Sequence, residues 1–222
     1  MKTIAYLVLF SCLILLQSCF EIIETVFLKT DGSGNFQLVL NLSKSRTKLN
    51  SISKMKMVNG HEVPSKEEIR SKITDIEKTA AKTPGISNVK TTVDFDNYIA
   101  SISCNFTQVT RLNDVVKNVY AKENSKEKPP EKIYGYSAGS KTFNRHNLFS
   151  FKHEYTKLSN ADKEIFATAN YTAIFKFEAG VTAVSNKDTK IAPSKKATML
   201  KLNALDIATE KKSIENKITL TN

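Results

Sequence analysis

Phe20-Glu21-Ile22-Ile23-Glu24-Thr25-Val26-Phe27-Leu28, the link Lys29-Thr30-Asp31-Gly32-Ser33-Gly34, and Asn35-Phe36-Gln37-Leu38-Val39-Leu40-Asn41-Leu42 form the stretch that decides the fold class. Phe20, Ile22, Val26 and Leu28 recur with the strand period of two, interrupted at Glu24. Phe36, Leu38, Leu40 and Leu42 repeat the alternation. Between them Asp31-Gly32-Ser33-Gly34 supplies turn chemistry, so the stretch predicts a hairpin with one apolar face. Such a face must be covered by another layer.

Working outward, a basic segment follows from Lys44 to Lys56, with Leu49, Ile52 and Met55 at a spacing of three that allows a helix. A clearer helix begins after Pro64. Ser65 and Glu68 match a capping box, Ile69, Ile73, Ile76 and Ala80 line one face, and Thr83-Pro84-Gly85 ends it. Strands are expected near Ile86–Val93 and Tyr98–Phe106. A further helix places Val109, Leu112, Val116 and Val119 on one stripe. The order is thus ββααββα. Residues 123–132 read as a charged, Pro-containing loop or linker. Beyond it, strands are expected at Asn144–Lys152, Tyr171–Phe177, Ala197–Leu202 and Ile214–Leu220, joined by short polar links. The whole predicts an α+β fold: an antiparallel sheet with two or three helices and a β-rich C-terminal half, in one domain over 19–222.

Composition agrees with a folded chain. Its 222 residues are 41% hydrophobic and 25% charged, with 33 Lys+Arg against 22 Asp+Glu and a formal charge of +11. Seven Gly and five Pro exclude collagen-like and low-complexity classes, and three Cys exclude a disulfide-rich scaffold. The absence of Trp disfavours a sugar-stacking cleft.

The N-terminus reads as an address. Lys2 precedes an apolar run, Ile4–Leu16, shorter than the roughly 20 residues of a spanning helix but suited to a signal peptide. Leu16-Gln17-Ser18-Cys19 then resembles the lipobox of bacterial lipoproteins, although Gln17 departs from the small or β-branched residue common there. The resemblance implies a signal peptide over 1–18 and a diacylglyceryl group on Cys19 as the first mature residue. Leu16 is a poor −3 residue for an ordinary secretory cut after Ser18. A second match, Leu9-Phe10-Ser11-Cys12, lies inside the apolar run, and an uncleaved anchor is the remaining alternative. On the lipoprotein reading Cys104 is the one thiol left. It shares a strand face with Tyr98, Ala100, Ile102 and Phe106, which suits a small core residue better than a nucleophile.

Cys19-Phe20-Glu21-Ile22-Ile23-Glu24, Asp31-Gly32-Ser33-Gly34, Asn41-Leu42-Ser43-Lys44-Ser45, Pro84-Gly85-Ile86-Ser87-Asn88-Val89 and Lys211-Lys212-Ser213-Ile214-Glu215-Asn216 together resemble lipoproteins of Bacteroidota-type bacteria. The early Asp-Gly-Ser-Gly hairpin and late strand pair are also similar to LppM-type domains, which are anchored, β-rich and linked to lipid or glycolipid binding. The resemblance implies an envelope lipoprotein held by lipid at the outer membrane. It supplies no catalytic residue.

Candidate chemistry is sparse. His61 sits in a short link, and His146 and His153 are expected on opposite faces of one strand, poor geometry for a shared metal. No nucleophile elbow, phosphate loop or zinc-protease motif occurs. Asp94 and Asp96 either bind a cation or make an ordinary turn. Neither cofactor nor metal is expected, nor nucleic acid as a partner. Lys44, Arg46, Lys48, Lys54 and Lys56, with no acidic residue between Leu42 and His61, form either a solvated face or a contact for anionic lipid or an acidic envelope protein. Two functions follow: a non-catalytic binding or accessory module on a lipid tether, or an envelope enzyme whose active site is not recognisable.

Overall fold

The computed structural model describes residues 20–122, 130–147 and 150–221. The expected hairpin is β1 (Glu21–Leu28) and β2 (Gly34–Asn41), paired from Glu21↔Asn41 to Leu28↔Gly34. Its turn is closed by Lys29 N–H on the Ser33 carbonyl (2.8 Å) and Gly32 N–H on the Lys29 carbonyl (3.0 Å). Gly34 is required by close approach: a methyl there would overlap the Phe27 carbonyl oxygen and meet the Phe106 ring.

After a short 3₁₀ turn at Ser43–Ser45 come α1 (Arg46–Ile52) and a two-residue-per-strand hairpin, β3 (Met57–Val58) and β4 (His61–Glu62). Asn59 and Gly60 both have positive φ, the Asn-Gly turn such a hairpin needs. Next is α2 (Lys66–Ala81), whose capping box forms in full between Ser65 and Glu68. Then follow β5 (Ile86–Asp94), β6 (Ile99–Phe106) and α3 (Arg111–Lys122).

The C-terminal half holds β7 (Tyr134–Ser137), β8 (Thr142–Arg145), α4 (Lys152–Lys157) and α5 (Asn160–Thr168). After these come β9 (Asn170–Phe177), β10 (Val181–Val184), β11 (Lys190–Ile191), β12 (Ala197–Asn203), α6 (Ala204–Ala208) and β13 (Asn216–Leu220). A seven-stranded sheet runs β11-β12-β9-β1-β2-β6-β5, and a four-stranded sheet runs β10-β13-β8-β7. Pairing is antiparallel except between β1 and β9, which are parallel. The fold is α+β with a β-rich C-terminal half, as expected. Six α-helices rather than two or three occur among the described residues.

One face of the large sheet is buried. Val26, Leu28, Cys104, Phe106, Phe175, Phe177 and Leu200 project from it. The small sheet covers part, and an aromatic chain crosses between them: Phe36 to Tyr134, Tyr134 to Phe143 (6.3 Å each) and Phe143 to Phe175 (5.0 Å). Helices α2 and α3 lie at the β5 side, with Leu112 and Val109 in the same core.

The strand expected at Asn144–Lys152 is corrected. The strand begins earlier, at Thr142, and ends at Arg145, while Lys152 opens α4. Phe151 and Tyr155, four apart, both stack on Phe166 of α5, at 5.6 and 5.5 Å. Their spacing is helical, and the short polar link expected before β9 is this helix pair. His146 therefore follows β8, and His153 lies in α4 rather than on the same strand.

Candidate functional site

The register gathers one end of the large sheet. Glu21 pairs with Asn41 and Asn170, Asn41 with Ile99, Ile99 with Asp94, and Asn170 with Asn203. At this end β1 begins, with Phe20 accepting a hydrogen bond from Asn170 N–H (3.0 Å). The basic segment leaves the sheet here too. Leu42 N–H donates to the Tyr98 carbonyl (2.9 Å), and the Tyr98 hydroxyl donates to Asn50 Oδ1 in α1 (2.7 Å). The β3–β4 hairpin reaches α5: Asn59 Nδ2 donates to Asp162 Oδ1 (3.4 Å), and His61 Nε2 lies 3.5 Å from Asp162 Oδ2. The Ser159 hydroxyl, with Asn59 and His61, holds the Asp162 carboxyl below its usual range against a smaller opposing effect of desolvation.

Lys44, Arg46, Lys48, Lys54 and Lys56 are all exposed on this end. Asp94 is a turn residue: it accepts from Asp96 N–H (2.9 Å), Asn97 N–H (2.9 Å) and Asn97 Nδ2 (2.7 Å). Those bonds, the Asn97 side chain first, lower its pKa, with a lesser contribution from the charge of nearby Arg46. Cys19 and the signal segment 1–18 lie outside the described residues, as does most of the 123–132 loop. Sequence reasoning missed the exposed Met55 and Met57 beside these lysines, 53% and 60% exposed. Asn59-Gly60 was the signal that could have found their hairpin.

Chain similarity adds little to this geometry. No family model matches the chain, and no curated protein does. The folded domain of LppM from Mycobacterium tuberculosis, solved by NMR, is similar at a TM-score of 0.45 and 11% identity, over 93% of this chain and 92% of that one. The likeness to Bacteroidota-type lipoproteins has no support.

A second polar feature lies between the sheets. Glu24, 3% exposed, accepts from Arg145 Nε (2.9 Å), Arg145 Nη2 (3.0 Å) and the Tyr171 hydroxyl (2.7 Å). Arg145 also donates to the His146 carbonyl (2.6 Å) and lies over the Tyr134 ring at 5.2 Å. Burial alone would raise the Glu24 pKa, but the charge of Arg145 and the surrounding hydrogen bonds outweigh it and leave the carboxyl ionised. Glu24, read in the sequence as a break in the strand pattern, is therefore a buried ion-pair partner. Arg145 also lines a pocket of about 300 Å³, with Lys132 and His146 and the apolar Ile133, Phe151 and Ile207. His146 Nε2 is buried without a hydrogen-bond partner. Desolvation, then the charge of Lys132, lowers its pKa, so the imidazole is held neutral.

Cys104 is buried, and desolvation pushes its thiol up to about 11. It stays protonated at neutral pH. Among the described residues no group of three His, Cys, Asp or Glu is placed to hold a metal, and no helix is long and apolar enough to cross a membrane.

Proposed function

We propose that this chain is a non-catalytic binding or accessory module of the bacterial envelope, held at the outer membrane by lipid on Cys19. Its basic end faces anionic headgroups. One observation carries this reading: β1 begins at Glu21, two residues after Cys19, and its partner strand β2 delivers the Lys44–Lys56 segment at that same end. A lipid on Cys19 would leave almost no linker, so the basic end sits against the bilayer. The pocket of Tyr120, Phe151 and Ile207 offers an apolar ligand about 300 Å³, the lower end of ligand-site volumes. The enzyme alternative rests on His146; among the described residues no Asp or Glu lines that pocket with it, and Glu215 acts on the imidazole only as a nearby charge.

The test uses the chain with Cys19→Ser, so that no acyl group holds it, and vesicles of anionic or neutral lipid at low and moderate salt. Juxtamembrane Lys and Arg contribute about 1 kcal/mol each, screened within a Debye length of about 8–10 Å. Neutralising Lys44, Lys48 and Lys54 together is expected to weaken binding to anionic vesicles by about 100-fold. Equal binding to both vesicle types, or no change in the triple variant, contradicts the membrane-surface reading.

A further inference from the structure

The exposed apolar side chains are not scattered. Leu40, Met55, Met57, Ile165, Ile191 and Met199 are the exposed large hydrophobic residues among those described. Leu40 is one residue from the end of β2, Met55 and Met57 flank the start of the β3–β4 hairpin, and Ile165 lies in α5, on which that hairpin rests. Four of the six therefore belong to elements at the end where β1 starts. Within the hairpin approach the order is Lys54-Met55-Lys56-Met57, and all four side chains are exposed. Helix α5 carries Asp162, which the hairpin tip touches, and ends at Thr168, two residues before Asn170, which bonds Phe20. The six-residue step from Asp162 to Thr168, at 1.5 Å each, puts the tip about 9 Å along the helix from its end beside the start of β1.

We infer that the Lys54–Met57 segment is a membrane-inserting element: Met55 and Met57 enter the headgroup–acyl boundary while Lys54 and Lys56 bind anionic headgroups. The inference rests on the lipid-anchor reading and adds a residue-level contact and an orientation to it. Methionine suits the task because its unbranched, polarizable side chain packs against irregular partners. Interfacial binding combines buried apolar area with attraction to anionic lipid, and this segment offers both in four residues. The uncharged stretch Met57-Val58-Asn59-Gly60, with its fixed Asn-Gly turn, presents the methionines without cost to the core. Of the acidic groups on these elements, Asp162 is engaged by Ser159, Asn59 and His61, and the exposed Glu62, the cross-strand partner of Met57, is outnumbered by Lys54 and Lys56. The occupant is a bilayer surface bearing anionic lipid, because a neighbouring acyl anchor and a run of lysines favour it over an apolar protein face.

The test places a single reactive thiol at Met57→Cys, and separately at Met55→Cys, in the full chain processed in cells and reconstituted in vesicles. Cys104 is buried and Cys19 carries lipid, so the new thiol reports alone. Gly139→Cys is the control. Gly139 is open to solvent in the β7–β8 turn, next to Tyr136, whose hydroxyl donates to the Thr30 carbonyl at the opposite end of the sheet. In vesicles containing phosphatidylglycerol, reaction with a water-soluble maleimide is expected to slow by about tenfold at residue 57 relative to detergent-free soluble controls, a change that burial of one methionine-sized side chain can support. Gly139→Cys should react unchanged. Acyl mass on the Cys19 peptide together with an unprotected residue 57 overturns this inference and leaves the anchor reading standing. Absence of acyl mass overturns both. Equal protection at Gly139→Cys overturns the orientation.

Discussion

Replacing Arg145 with Met would strand the Glu24 carboxylate in the core. In the intact protein that carboxylate accepts two short bonds from the guanidinium and one from Tyr171. In Arg145→Met only the hydroxyls of Tyr171 and Tyr134 still face the carboxylate, and the charge is buried without an opposite charge, a change that costs about 3–5 kcal/mol. The carboxyl has an escape: it can take up a proton. From an ordinary value of 4.5, protonation at pH 7 costs about 3.4 kcal/mol at 1.36 kcal/mol per unit. The expected loss is therefore about 3–4 kcal/mol at pH 7, or a fall in Tm of roughly 7–14 °C for a chain of this size. The deficit should shrink by about 1.4 kcal/mol for each pH unit below 7 until the unfolded carboxyl titrates. Glu24→Leu/Arg145→Met removes both charges and should recover most of the loss, leaving about 1–2 kcal/mol for the unpartnered Tyr171 hydroxyl. Urea unfolding of the intact protein, Arg145→Met, Glu24→Leu and the double variant at pH 5, 6 and 7 measures all of this. A deficit below about 1 kcal/mol at pH 7, a deficit independent of pH, or strict additivity in the double variant would refute the reasoning.

Gly34→Ala should destabilise by about 1–3 kcal/mol, since the methyl overlaps the Phe27 carbonyl; an unchanged urea midpoint would show that the hairpin can shift to accept it. Ser65→Ala removes the α2 cap and should cost about 1 kcal/mol, whereas Ser65→Asp should retain most of it. In the intact protein, Glu24 has a depressed pKa, so its contribution is complete above the unfolded value of 4.5 and is lost as pH falls through the folded value. His146 is held neutral, so the unfolded state binds its proton first and stability declines as pH falls below 6.5. The stability profile should therefore bend near pH 6.5 and steepen below 4.5, and His146→Leu should flatten the upper bend alone. Cys104 should react with a thiol reagent at neutral pH only as fast as the protein opens, which comparison with the rate in urea would measure.

Local signals were legible where the chain folds on its nearest neighbour. The β1–β2 alternation, the Ser65–Glu68 capping box and the β5–β6 hairpin each need only contacts close in sequence. The parallel pairing of β1 with β9 joins residues some 150 positions apart, and no period or turn residue announces it. Glu24 looked like a flaw in a strand because its partner, Arg145, comes from the second sheet. The α4–α5 pair was hidden because Phe151 also continues the alternation of the preceding strand, and only the packing of Phe151 and Tyr155 on Phe166 decides for a helix. Of the candidate surface, the run of lysines was visible as composition. Its position beside the start of β1 comes from the sheet register, and the exposure of Met55 and Met57 from the hairpin that carries them.

The central claim, a domain tethered through Cys19 with its basic end against the membrane, is tested most directly by the mass of the mature N-terminal peptide together with its fractionation. The account predicts a first residue at Cys19 bearing a diacylglyceryl thioether, recovery in the membrane fraction, and loss of both in Cys19→Ser. An unmodified N-terminus at any other residue, with intact and Cys19→Ser proteins equally soluble, would contradict it.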